Sequence, residues 1–243
     1  MSFSLILSSD KSDFTTVMNS IILNSDYQYE ASLQSIDTYN SIPNITEGIN
    51  NSFKYFNGHD WKTILLKTGS YELDSMGREI HRLMLINGDD ADAITILPEI
   101  STLRSIVNIV APAMSTTATP VAYKVAFEDG SIGRLLGFPN GVLDAGYNLS
   151  PNIVDIMPIN TILVNIDIIQ GSYINGQASP AIYAFYPAVS PGFKIIERPN
   201  NLTYFKLSRN DISRIRVWLT DQDNNIVDFR GERITIRIHI RQT

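Results

Sequence analysis

The stretch Arg233-Ile-Thr-Ile-Arg-Ile-His-Ile-Arg241 alternates without a break. Ile234, Ile236, Ile238 and Ile240 fall on one side. Arg233, Thr235, Arg237, His239 and Arg241 fall on the other. Side chains of a strand point to opposite faces with period two, so this is a strand with one face in a core. Its other face is cationic and meets solvent or a neighbouring subunit.

Working outward, Ile212 to Thr220 places Ile215, Val217 and Leu219 on one side. Asp221-Gln-Asp-Asn-Asn225 then supplies turn chemistry, and Ile226 to Phe229 reads as a further strand. Tyr27 to Asp37 alternates Tyr29, Ala31 and Leu33 against Gln28, Glu30 and Gln34. Ser52 to Phe56 and Trp61 to Lys67 flank the turn Asn57-Gly58. Ala93 to Leu97, Ala122 to Phe127, Thr161 to Ile169, Ala181 to Tyr186 and Leu202 to Lys206 complete the set. Asp129-Gly130, Asn175-Gly176, Pro191-Gly192 and similar turns separate them. Many short strands between Gly, Pro and Asn turns indicate an all-β sandwich or barrel.

Helix is scarce. Ser75 to Leu85 carries Met76, Ile80, Leu83 and Met84 at helical spacing, with Ser75 or Asp74 as a cap and Gly88 beyond the end. Asp13 to Leu23, with Phe14, Val17, Met18, Ile21 and Ile22, predicts a second helix, and Ile132 to Leu136 a single turn. Ala111 to Pro120 reads as an exposed loop. The chain is taken as one domain over residues 1–243, since a division at that loop leaves too few strands on either side for a closed sandwich.

Hydrophobic residues make up 44% of the 243-residue chain and charged residues 18%, a balance that excludes a disordered protein. The absence of cysteine excludes disulfides, thiolate zinc sites and a Cys nucleophile. The opening Met1-Ser-Phe-Ser-Leu-Ile-Leu7 has no basic segment and too short an apolar run for a signal peptide. No stretch reaches the roughly 18 apolar residues that span a bilayer. The expectation is a protein made in the cytosol with no membrane contact. Net charge is −6, but unevenly spread: residues 194–243 carry 10 Lys and Arg against 6 Asp and Glu, and are net basic. Pairing of these cations with acids elsewhere in the chain accounts for that asymmetry better than nucleic-acid binding, because no basic tail is present.

Candidate chemistry is sparse. His59, His81 and His239 lie in different elements and form no metal-ligand spacing, and no Gly-x-Ser-x-Gly elbow is present. Asp221, Asp223, Asn225 and Glu232 match positions 1, 3, 5 and 12 of an EF-hand loop, but Ile226 occupies the position that needs glycine. Asp89-Asp-Ala-Asp92 reads as a solvated loop tip rather than a cation site. Gly133-Arg-Leu-Leu-Gly137 lacks the lysine of a phosphate loop, and Arg230-Gly-Glu232 reads as a turn with a structural charge pair. No catalytic residue, cofactor or metal is expected, which shifts weight from enzyme to structural protein.

Several stretches carry a resemblance in their order: Ser35-Ile-Asp-Thr-Tyr-Asn-Ser-Ile-Pro-Asn44, Thr68-Gly-Ser-Tyr-Glu-Leu73, Gly133-Arg-Leu-Leu-Gly-Phe138, Asp167-Ile-Ile-Gln-Gly-Ser-Tyr-Ile-Asn-Gly176, Pro191-Gly-Phe-Lys-Ile-Ile-Glu-Arg-Pro199, and Trp218-Leu-Thr-Asp-Gln-Asp223 running to Arg230-Gly-Glu232. This order resembles capsid-type proteins of adintoviruses and Maverick/Polinton-like double-stranded DNA elements, over roughly residues 27–243. The resemblance implies a single jelly-roll β-sandwich with one or two short inserted helices and a non-enzymatic virion subunit. It also implies synthesis in the host cytoplasm and nuclear assembly around a double-stranded DNA genome. One jelly roll points to the vertex-forming penton type, a homo-oligomer that is a pentamer rather than a trimer and that meets other capsid proteins. The expected interface residues are Arg233, Arg237, Arg241, Tyr183, Tyr186 and Phe193. Trp218 and Phe185 are placed in the core. Two other classes stay open: a trimeric receptor- or glycan-binding module of fibre-head or TNF-like type, and an enzyme on a β scaffold.

Overall fold

The computed structural model describes residues 1–110, 122–157 and 159–243. Its contacts divide the chain into two compact units, Met1–Ile42 with Ile159–Thr243, and Pro43–Pro158. Where the sequence suggests one domain over 1–243, the second unit is an excursion of the chain between two parts of the first. Periodicity identifies strands but not which strands share a core, so the excursion leaves no mark on it.

The first unit begins with β1 (Ser2–Ser9), β2 (Asp13–Ile22) and β3 (Tyr29–Tyr39). The excursion supplies β4 (Ser52–Phe56), β5 (Trp61–Leu65), α1 (Leu73–Ile86), a 3-10 turn at Ala91–Ala93, β6 (Ile94–Glu99), β7 (Arg104–Ile109), β8 (Lys124–Phe127), β9 (Gly141–Leu143) and β10 (Gly146–Leu149). The first unit resumes with β11 (Ile162–Ile166), β12 (Ile169–Gln170), β13 (Ser172–Ile174), β14 (Gln177–Ser179), β15 (Ala181–Phe185), β16 (Lys194–Glu197), β17 (Phe205–Leu207), β18 (Asp211–Thr220) and β19 (Ile234–Gln242). The expected loop Ala111 to Pro120 lies outside the described residues.

Eight strands of the first unit pair as one nested antiparallel hairpin: β1 with β19, β2 with β18, β3 with β16, and β11 with β15. A long hairpin rolled up in this way is a jelly roll. It yields two sheets, β1-β19-β3 with β16 and β17 beyond β3, and β15-β11-β18-β2. The inner faces meet in one core. Ile234, Ile236, Ile238 and Ile240 pack with Ala31, Leu33 and Ile36 of β3 and with Ile215, Val217 and Leu219 of β18. Each such side chain removed from water contributes about 1.5–3 kcal/mol. The fold is all-β, with one α-helix among the described residues.

The helix expected over Asp13 to Leu23 is instead the strand β2. Its register against β18 shifts, so that Val17 opposes Arg214 while Ile21 opposes Ile212. Four steps on β2 span two on β18, and the irregularity exchanges the faces of the strand. Phe14, Met18 and Ile21 all pack on the core while Val17 and Ile22 are exposed. A bulged strand thus imitates helical spacing.

The second unit holds two sheets, β5-β4-β8-β9 and β10-β7-β6. Helix α1 buries Leu73, Met76, Ile80 and Met84. It starts two residues before the expected Ser75. The Glu72 cap position makes no side-chain capping bond, and Ser75 Oγ donates to the Glu72 carbonyl instead. The turn at Ile132 forms as expected, closed by Leu136 N–H to the Ile132 carbonyl at 3.1 Å. A Cβ on Gly133 would meet the Phe127 ring at 2.7 Å, so this glycine serves packing rather than phosphate binding.

Candidate assembly surface

Directly opposed residues of an antiparallel pair share a face. The outer face of the β1-β19-β3 sheet therefore carries Ser2, Ser4, Ile6 and Ser8 from β1, Thr235, Arg237, His239 and Arg241 from β19, and Glu30, Ser32, Ser35 and Asp37 from β3. The three expected arginines are exposed, but they do different things. Arg241 lies 3.2 Å from Glu30 and stacks its guanidinium 3.5 Å over the Tyr204 ring. Arg233 and Arg237 enter no ion pair among the described residues. Arg237 stands between Ile6 and Ser35, with its charge uncompensated.

His239 is held at both ring nitrogens. Nε2 is 2.6 Å from Ser2 Oγ and Nδ1 is 2.8 Å from the Tyr204 hydroxyl. A serine beside a histidine is half of a nucleophilic triad, but here a phenol stands where a carboxylate would orient the imidazole. The group's evident work is to tie β1 and the segment before β17 to β19.

The aromatic candidates also separate. Tyr183 packs partly buried on the core, stacked on Phe185 at 6.3 Å, with its hydroxyl 3.5 Å from Glu197. Burial, reinforced by the Glu197 charge, pushes its phenol pKa up. Tyr186 and Phe193 are each 66% exposed and are the first and last residues of the loop joining β15 to β16. Phe185 is in the core, but Trp218 is not. It lies opposite Asp13 and Asn165 on the outer face of the β18 sheet, half-buried beneath Arg216, whose guanidinium sits 4.7 Å from its ring. Its place between Val217 and Leu219, which both point inward, forces it outward. Arg216 also grips Asp13 through two bonds of 2.9 and 2.7 Å, and these hold the Asp13 carboxyl below its usual range.

The acidic motifs are occupied by the protein itself. Asp89, expected in a solvated tip, has a side chain only 7% exposed. It accepts from the Tyr55 hydroxyl, Asn57 Nδ2 and Lys62 Nζ. Asp92 pairs with His81 at 3.1 Å, and Asp90 caps the 3-10 turn. Asp221 Oδ1 accepts from the backbone of Asp223 and Asn225, closing a turn with Asn224 at φ 67°. Arg230-Gly-Glu232 forms the expected turn, with Arg230 at φ 54°. The charge pair expected within it is absent from the ion pairs among the described residues. Those residues hold no group of three or more His, Asp and Glu placed to bind a metal, and no helix long and apolar enough to cross a membrane.

What remains chemically distinctive is a jelly roll with exposed aromatic and cationic side chains. The chain is similar in fold to the mavirus penton protein. The two align over 100% of both chains with a TM-score of 0.51 and 11% identity. No protein-family model matches the sequence, and no curated protein matches it. At that identity the likeness to the mavirus penton protein concerns the fold. It spans the excursion as well as the jelly roll. The signals that sequence reasoning missed are the polar anchor at Asp89 and the clasp around His239. Both join residues 27 or more positions apart, beyond the reach of any local spacing.

Proposed function

We propose that this protein is a capsid subunit of penton type, which assembles with copies of itself, favouring a pentamer, at the vertices of a virion. The observation that carries the reading is the nested eight-strand pairing of the first unit together with its full-length likeness to the mavirus penton protein. The occupied acids and the clasped histidine fit it, because a shell subunit needs surfaces and anchors rather than a reactive group. The order of short motifs given above supports an origin in a Maverick/Polinton-type double-stranded DNA element of the adintovirus kind. Other capsid proteins are its further partners, and contact with the genome is indirect. Production is in the host cytoplasm and assembly in the nucleus. The one-domain reading is kept in the functional sense, with both units belonging to one capsid subunit.

The test is the native mass of the purified protein by light scattering, with electron-microscope imaging of the same sample. Pentamers or shell-like particles support the proposal. A trimer moves the assignment to a receptor- or glycan-binding module. A monomer at every concentration overturns self-assembly.

A further inference from the structure

The two flanks of the jelly roll are built differently. On one flank β1 ends its sheet and β2 ends the other. The three residues Asp10–Ser12 join them, a link of about 10 Å, which is the spacing of packed sheets. Met1 and Gln242 are opposed and bonded, Gln242 N–H to the Met1 carbonyl at 2.9 Å. By the alternation of an antiparallel ladder, the amides and carbonyls of Ser2, Ser4, Ile6 and Ser8 point off the sheet, where no strand among the described residues pairs with them.

Exposed edges are templates for pairing, and proteins that stay single blunt them with lysine, proline or short length. β1 carries none of these devices, and β2 departs from a plain edge at its register shift between Val17 and Ile21. β1 runs 8 residues and β2 runs 10, and together they contain no proline, no lysine and one charged residue, Asp13, which Arg216 neutralises. Ile6 is 61% exposed, Val17 79% and Ile22 80%. The opposite flank carries the short strands β15 and β16, of 5 and 4 residues, with Lys194 and Glu197 at the ends of β16 and with β17 and β12 further along the same side of β3. The loop between those two strands begins at Tyr186 and ends at Phe193, both exposed.

We infer that the β1–β2 flank is the surface on which a second copy of this chain docks, presenting its β15–β16 flank with Tyr186 and Phe193. The inference rests on the self-assembly proposed above and names the surface that performs it. The long free edges supply main-chain hydrogen bonds and a nearly uncharged strip in which Ile6, Val17 and Ile22 stand exposed among serines and threonines. The opposite flank supplies two exposed aromatics, the residue type that dominates interface energetics. A contact between unlike flanks is head-to-tail, and such contacts close into a ring where the rotation between copies closes and run into open filaments where it does not.

The experiment compares the native protein with the double variant Ile6→Lys/Val17→Lys, which places lysine on each free edge. Both side chains are exposed outside the core, but each lysine would face an arginine across its strand pair, Arg237 and Arg214, so a modest fall in the thermal melt is expected. The expected result is a ring for the native protein and a rise of roughly tenfold or more in the concentration needed to assemble the variant. An unchanged oligomer overturns the flank assignment and leaves self-assembly standing. A monomeric native protein overturns self-assembly itself, and this inference with it. A native dimer that stops at two copies also overturns it, because one flank would then be pairing with itself. If the variant melts early, hydrogen exchange of residues 2–9 in the native oligomer decides. Protection that disappears on dilution to monomer supports the inference, and equal exchange in both states overturns it.

Discussion

The Tyr55 hydroxyl donates to Asp89 across 2.5 Å, joining the middle of β4 to the loop that follows α1. Lys62 and Asn57 complete the set around the same carboxylate, and Asn87 Nδ2 donates to the Tyr55 hydroxyl. Removing the carboxylate takes the acceptor from a largely buried phenol and leaves the Lys62 ammonium with only the Asn87 carbonyl, at 3.1 Å. Asp89→Ala should therefore destabilise the second unit by about 2–4 kcal/mol, at the lower end because Lys62 remains partly solvated. Urea unfolding of native and variant protein measures it. A change below about 0.5 kcal/mol would mean that water replaces the carboxylate at no cost.

The same cluster contributes to both arms of the stability–pH curve, alongside the depressed Asp13 and Glu79 and the raised Tyr123 and Tyr183. Burial works against the Asp89 charge, but the bonds from Tyr55, Lys62 and Asn57 more than offset it and hold its carboxyl below the ordinary 3.8. A depressed acid stabilises the fold above its unfolded value, and that contribution is lost as pH falls through the folded one. Burial, with the Asp89 carboxylate beside it, pushes the Tyr55 phenol up to about 12. Its contribution is whole below pH 10 and is lost between 10 and 12. Urea midpoints against pH should fall at both ends. Asp89→Asn should flatten the acid arm, and Tyr55→Phe the alkaline one.

Gly137 ends the turn after Ile132 at φ 80°, and a Cβ there would overlap the Asn152 carbonyl oxygen. An alanine would meet both a left-handed backbone and a rigid wall of main chain. Gly137→Ala should cost about 2 kcal/mol or more. Gly141→Ala is the control, since its φ of 159° is close to extended and nothing lies within 4 Å of its Cβ. Thermal melts of the two variants should separate clearly, and equal melts would refute the steric argument.

The isoleucine face of β19 was legible because its period survives intact over nine residues, and α1 because Met76, Ile80 and Met84 keep one stripe. β2 was not, since its register shift exchanges faces midway and so reproduces the spacing of a helix. Trp218 was open to correct reading: its neighbours Val217 and Leu219 already point inward, yet its size argued for the core. The Asp89 anchor and the Ser2–His239–Tyr204 clasp depend on contacts between distant segments, which no window of sequence contains. The excursion of the second unit was hidden for the same reason.

Of the three arginines on the outward side of the β19 segment, only Arg241 is ion-paired among the described residues. Arg241 has partners within its own chain, so Arg241→Glu should lose the Glu30 pair and the stacking on Tyr204. Both are partly exposed, and the cost should be about 1 kcal/mol of stability. Arg237 has no such pair, so Arg237→Glu should leave the melt nearly unchanged. If that face meets a neighbouring copy, the reversal should raise the concentration needed for assembly by roughly tenfold. Light scattering over a dilution series, alongside thermal melts, reads both quantities. Assembly indifferent to the reversal would remove the outer β19 face from the interface and leave the flanks to carry it. A destabilised Arg237→Glu fold would instead show that the arginine serves its own sheet.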